Sequence, residues 1–84
     1  MLELTLVSRD QCHLCEEMER MLVGELRHYP HRFRRLEVGA EPGLEELYGT
    51  EVPVLLINGR KAFKYRCTPV QLRRALARAA RLLP

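Results

Sequence analysis

Cys12 and Cys15, in the run Cys12-His13-Leu14-Cys15, are the residues of this chain best placed by type and spacing to do chemistry. Such a pair can exchange electrons as a dithiol and disulfide, or it can hold a metal. Context separates the two, because a pair on a turn from a strand into a helix within a βαβ pattern favours thiol–disulfide exchange. At a helix N-terminus, unpaired N–H groups and the positive dipole end stabilise a thiolate, lowering a thiol pKa from about 8.5 towards roughly 3.5 to 7.5. Cys12 is therefore the expected nucleophile. Cys15, three residues on and less exposed, is the expected resolving thiol.

Other candidates surround this pair. His13 reads either as an imidazolium that further stabilises the Cys12 thiolate, making the disulfide more oxidising, or as an exposed side chain without a role. Cys67 also precedes a helical pattern, and it reads either as a third redox thiol able to pair with Cys12 or as a small apolar residue in a tight turn. Four zinc ligands can be counted from Cys12, Cys15, Cys67 and one of His13, His28 or His31. Their spacing lacks the second close pair of a ribbon or finger.

The elements that must position these residues are legible in the apolar pattern. Leu2, Leu4 and Leu6 alternate with Glu3 and Thr5, which predicts a first strand. Leu14, Met18, Met21, Leu22 and Leu26 follow helical spacing, with Glu16 and Arg20 as an i,i+4 pair, and Pro30 ends or follows that helix. Phe33 to Val38 reads as a second strand, Gly39 to Gly43 as loop, and Leu44 to Tyr48 as a short helix closed by Gly49. Pro53 to Ile57 is a strand-length apolar run. Asn58-Gly59 then predicts a tight hairpin to a partner strand, Arg60 to Arg66. Thr68, Pro69 and Gln71 mark the start of a last helix by a capping box, and Leu72, Ala75, Leu76, Ala79, Leu82 and Leu83 form its apolar face.

The expected architecture is α/β, a βαβαββα order giving a four-stranded mixed sheet flanked by helices. Its 84 residues suit one domain spanning 1–84, which would bury about 60 to 65 per cent of its unfolded surface. With 46% apolar and 30% charged residues and no long uncharged apolar stretch, disorder and a membrane span are both excluded. The start Met1-Leu2-Glu3 has no basic segment of the kind that opens a secretory signal, so the cytosol is the expected compartment. Three cysteines in such a compartment argue for reactive or metal-binding thiols over a disulfide framework. The net charge of +3 comes from arginines, grouped around Arg27, Arg32, Arg34 and Arg35 and again at Arg73, Arg74, Arg78 and Arg81. The second group has no interleaved aromatic, so these runs read as solvated faces that could steer an acidic partner, and nucleic acid is not the expected ligand.

With Cys12-His13-Leu14-Cys15 after the first strand and Val52-Pro53 opening the third, the sequence resembles small glutaredoxin-like proteins of the thioredoxin superfamily. The resemblance covers nearly the whole chain. It implies a thioredoxin-like fold, a cis-proline at Pro53 facing the dithiol, and a substrate platform at Val52, whose backbone N–H and C=O would pair with an extended substrate. It implies a thiol–disulfide oxidoreductase acting on protein or small-molecule disulfides without a bound cofactor, and a monomer is the expected state. The Cys-His-Leu-Cys run has neither the Gly-Pro of thioredoxins nor the Pro-Tyr of typical glutaredoxins.

Glutathione is one implied reductant, and Arg9, three positions before Cys12, would meet one of its carboxylates. The chain departs from that pattern at Glu51, where Thr precedes Val-Pro in the family, and at Arg66-Cys67-Thr68-Pro69, where the family has Gly-Gly-x-Asp. A thioredoxin-type reductase or another small thiol is the alternative donor. Some relatives share an iron–sulfur cluster between two chains through the nucleophilic cysteine, but the Gly-Phe-Ser motif of that group is absent here. A non-catalytic binding module is a further alternative, against which the two cysteines and the proline argue.

Overall fold

Alternation places Leu2, Leu4 and Leu6 on one face of a strand, and burying that face requires helices laid across it. In the computed structural model, which describes residues 1–84, those helices are supplied in the order β1 (Leu2–Ser8), α1 (His13–Leu26), β2 (His31–Glu37), α2 (Leu44–Tyr48), β3 (Val54–Ile57), β4 (Arg60–Lys64) and α3 (Pro69–Leu82). The sheet order is β2-β1-β3-β4. β1 and β2 run parallel, joined by α1, while β3 is antiparallel to both β1 and β4. This is the mixed four-stranded βαβαββα sheet expected from the sequence.

The two faces of the sheet are unequal. On one, Leu2, Leu4, Leu6, Leu55 and Ile57 meet Met18, Leu22 and Leu26 of α1 and Leu72 and Leu76 of α3. Truncating a fully buried leucine of this cluster, such as Leu22, to alanine costs about 2 to 5 kcal/mol. On the other face a smaller cluster of Val7, Val38 and Val54 takes Tyr48, Val52 and Leu56 against it. No helix is long and apolar enough to cross a membrane.

Three boundaries differ from the sequence reading, each for a local reason. β2 spans His31–Glu37 instead of Phe33 to Val38, because its register with β1 runs from Leu2 opposite His31 to Ser8 opposite Glu37. β3 begins at Val54, since Pro53 has no N–H to give to a ladder. β4 stops at Lys64 because Tyr65 takes a left-handed backbone, φ 64°, and a slip in register between Leu55 and Leu56 leaves Ala62 as the extra residue of a bulge. Gly49 closes α2, as read from the sequence, with a right-handed backbone (φ −56°), and a side chain there would collide with Glu45.

The register decides which loops gather together. Val7 lies opposite Val54, and Val54 opposite Lys64. The segments Arg9–Cys12, Glu51–Pro53 and Tyr65–Cys67 therefore leave the sheet from one end.

Candidate active site

Cys12 is the N-cap of α1. The turn that delivers it passes through Gln11, whose left-handed backbone (φ 56°) swings the chain from β1 into the helix. Cys12 is itself extended, as N-caps are, and its Sγ accepts the backbone N–H of Cys15 at 3.2 Å. Its carbonyl accepts the N–H of Glu16 at 3.1 Å. Cys12 and Cys15 are joined as a disulfide, with Cα atoms 5.2 Å apart. Cys15 is buried at 2% exposure while Cys12 is half-buried, so the two sulfurs are unequal in access.

His13 points outward. Its Nε2 lies 3.0 Å from Glu17 Oε1, one turn along the same helix, which gives any imidazolium charge a partner other than the Cys12 sulfur.

The Val52–Pro53 peptide bond is cis, as the resemblance implied. Pro53 is buried, and continuing the β1–β3 register sets it opposite Ser8. Its carbonyl accepts the N–H of Tyr65 at 2.9 Å. The N–H and C=O of Val52 have no partner within the chain. Before it, Glu51 receives Lys61 Nζ at 2.7 Å and Lys64 Nζ at 3.2 Å. These hydrogen bonds, Lys61 first, hold the Glu51 carboxyl below its ordinary range.

Arg9 lies at this end of the sheet but is already engaged. Its guanidinium makes a two-pronged bond to Glu45, Nη1 to Oε1 at 3.1 Å and Nη2 to Oε2 at 2.7 Å, and Nη2 also donates to the Gly49 carbonyl at 2.8 Å. The hydrogen bond from Arg9 pulls the Glu45 carboxyl below its usual value. Arg9 thus ties β1 to the end of α2 in this structure, and a ligand carboxylate would have to displace Glu45.

Cys67 is a free, half-buried thiol one residue before the N-cap of α3, and burial raises its pKa. It packs against the larger core cluster. No three His, Cys, Asp or Glu side chains gather closely enough to hold a metal, so Cys12, Cys15, Cys67 and the histidines do not form the counted zinc set here.

Several residues of this region escaped the sequence reading. Glu45 as partner of Arg9, and Lys61 with Lys64 as partners of Glu51, join segments at least ten residues apart, and no local pattern signals them. Tyr65 and Gln11 are left-handed without being glycine, which periodicity cannot reveal. Glu17 could have been found, since it stands four residues after His13.

Comparison with known proteins agrees with this geometry. The sequence matches the family described as glutaredoxin-like domain (DUF836) over residues 3–77. It is similar to protein XcR50 from X. campestris, at 33% identity and a TM-score of 0.73, covering 89% of this chain and 96% of that one. Protein Ne2328 from Nitrosomonas europaea gives 24% identity and a TM-score of 0.73, over 88% and 89% of the two chains. Oxidized mitochondrial thioredoxin 3 from Saccharomyces cerevisiae gives 20% identity and a TM-score of 0.70, over 92% and 77%. The last two likenesses speak for the fold alone. No curated protein matches the sequence. With the family match spanning almost the whole chain, the chain belongs to the glutaredoxin-like domain family, and its fold is that of thioredoxins.

Proposed function

We propose that the chain is a thiol–disulfide oxidoreductase in which Cys12 is the nucleophile and Cys15 the resolving thiol. The observation that carries this reading is the position of Cys12 Sγ, which accepts a helix N-terminal N–H from Cys15 while remaining the more accessible of the two sulfurs. A sulfur so placed is stabilised as a thiolate by the helix dipole and by that N–H. The Cys12 thiolate attacks one sulfur of a substrate disulfide, forming a mixed disulfide and expelling the other sulfur as a thiolate that takes a proton from water. Cys15 then gives up its proton and attacks Cys12 Sγ, closing the intramolecular disulfide and releasing the second substrate thiol. Two electrons pass to the substrate, and the disulfide form of the chain is the product state.

Val52, with its unpaired N–H and C=O, serves as the platform for an extended substrate, in the manner of an added strand. A protein dithiol of the thioredoxin-reductase type is the proposed donor in preference to glutathione. Two observations support that choice. Arg9 is occupied by Glu45 and Gly49, and the N-terminus of α3 is closed by the Thr68–Gln71 box with Pro69 lacking an N–H. A reducing compartment such as the cytosol suits a dithiol that must be regenerated.

Trapping tests the reading. A Cys15→Ser variant should accumulate mixed disulfides through Cys12, resolved by added dithiol and absent from Cys12→Ser. If the two variants trap the same proteins to the same extent, Cys12 is not the nucleophile.

A further inference from the structure

Ionised side chains are divided unevenly along this chain. Residues 52–84 carry eight arginines and lysines and no aspartate or glutamate, whereas residues 1–51 carry the other six cations and all eleven acids. The basic stretch supplies β3, β4 and α3, so the fold gathers its charge at the β4 edge of the sheet and on the helix beside it. Part of it is neutralised from the acidic half, Lys61 and Lys64 by Glu51 and Arg73 by Glu25. Arg60, Arg66, Arg74, Arg78 and Arg81 are exposed and have no carboxylate partner.

Charge alone would only make this side soluble. Between β4 and α3, however, the arginines border an open apolar groove of about 250 Å³. Ala75 and Ala79, one turn apart on the flank of α3 that faces β4, leave the gap to Ala62 unfilled, and Leu82, 74% exposed, continues the same flank. The larger side chains Leu72 and Leu76 turn into the core instead. Arg60, Lys61 and Arg78 stand on the rim, and no acid does. Arg74 and Arg81 lie four residues before and three after Arg78, so guanidinium groups border the groove over two turns of helix. Because Ile57 opposite Arg60 marks the hairpin end of the sheet and Val54 opposite Lys64 the dithiol end, the groove is remote from Cys12.

We propose that this groove docks an acidic amphipathic helix of a partner protein, which seats an aliphatic side chain against Ala75, Ala79 and Leu82 and sets carboxylates on Arg60, Arg74, Arg78 and Arg81. Carboxylates spaced three or four residues apart on the partner match arginines spaced in the same way. Guanidinium groups take carboxylates by paired hydrogen bonds, and the unopposed field of this side steers an acidic surface towards it. A second copy related by a two-fold axis would set the arginines against one another. Single-stranded nucleic acid binds on aromatic platforms, and the groove has none. The seat contains neither cysteine, so the proposal goes beyond the exchange reaction and does not depend on it.

Titrating isotope-labelled protein with a short helical peptide of glutamate, leucine and alanine, read by amide chemical shifts, tests this. The shifts should centre on Ala62, Ala75, Ala79 and Leu82, and binding should weaken at least about tenfold between low salt and about 0.5 M. The same peptide with glutamine for glutamate should bind at least about tenfold more weakly. Arg74→Glu with Arg78→Glu should also cost at least about tenfold, and Leu82→Ser, which removes apolar surface without touching charge, about threefold. Arg32→Glu with Arg34→Glu makes the same change in net charge on the β2 edge and should leave binding within about twofold. Equal losses from the two charge-reversed pairs would mean that the peptide senses net charge alone, and would overturn the groove. So would shifts centred elsewhere, equal binding of the glutamine peptide, or tighter binding of a DNA duplex at the same amides. Self-association of the protein that moves those amides would give the face to a second copy and overturn the proposal too. Reduction of 2-hydroxyethyl disulfide, measured on each variant, should not change, and its absence from the wild type would remove the redox reading while leaving the docking result intact.

Discussion

The two long helices begin near the same end of the sheet, and both meet the problem of unpaired N-terminal N–H groups with the same pair of positions. In α3 the N-cap Thr68 accepts the N–H of Gln71 at 3.1 Å, and Gln71 returns its side-chain oxygen to the N–H of Thr68 at 2.9 Å. In α1 the N-cap Cys12 accepts the N–H of Cys15 at 3.2 Å, and Cys15 returns a sulfur–sulfur bond in place of a hydrogen bond. N-cap and N3 side chains converge in both. Oxygen and amide at those positions make an inert cap, whereas two sulfurs make a switch whose capping atom is also a nucleophile. Cys-x-x-Cys spacing is thus capping-box spacing, and the chemistry is set by which atoms occupy it.

Exchanging the capping sulfur for oxygen should separate the two roles most sharply. Serine is a good N-cap, so Cys12→Ser should keep α1 intact by circular dichroism while disulfide reduction falls by about a thousandfold or more. Activity retained within tenfold would mean that the cap and the nucleophile are different atoms.

The next effect is on acidity. In Cys15→Ser, where Cys12 is free, the pH dependence of alkylation by iodoacetamide should place the Cys12 midpoint below that of an unperturbed thiol, about 8.5. A midpoint at or above 8.5 would show that the α1 terminus lends the sulfur nothing.

Thr68→Ala tests the inert cap. It should cost about 1 kcal/mol in urea unfolding, and the rate on 2-hydroxyethyl disulfide should stay within twofold of wild type. A stability loss near zero would deny the box its structural role. A large loss of rate in a folded variant would mean that the two helix ends are coupled.

How much of this contrast could be read from the chain alone depends on how local each signal is. The α3 cap was legible as Thr68, Pro69 and Gln71, and the hairpin as Asn58-Gly59, because each is built from neighbours in sequence. Cys12 at the head of α1 was legible for the same reason. The occupant of Arg9 was not, since Glu45 and Gly49 lie 36 and 40 residues away and only the packing of α2 beside the end of β1 brings them there. Tyr65 was hidden differently. Nothing in an aromatic residue after a strand announces a left-handed turn, and its conformation depends on acceptors at Pro53 and Thr50 that the sheet register supplies. The fold, whose signals are mostly periodic, was therefore read almost whole, while the polar contacts around the dithiol were read only where they fall within one turn of helix.

Cys67 supplies the smallest and most discriminating test, because it stands one residue before a helix cap while Cys12 is the cap. Thr68 and Gln71 already use the α3 terminus, so the Cys67 thiol gains no N–H, and burial raises its pKa. The folded state then holds the proton more tightly than the unfolded state does. Stability from this group is present below the ordinary thiol pKa of about 8.5 and is lost as pH rises through the folded value. In the oxidised protein Cys12 and Cys15 do not titrate, so the urea midpoint of wild type minus that of Cys67→Ala should fall as pH rises above the ordinary thiol pKa of about 8.5. A difference that grows with pH would mean that the Cys67 thiolate is stabilised, and the line drawn between a thiol that is a cap and a thiol beside one would have to be given up.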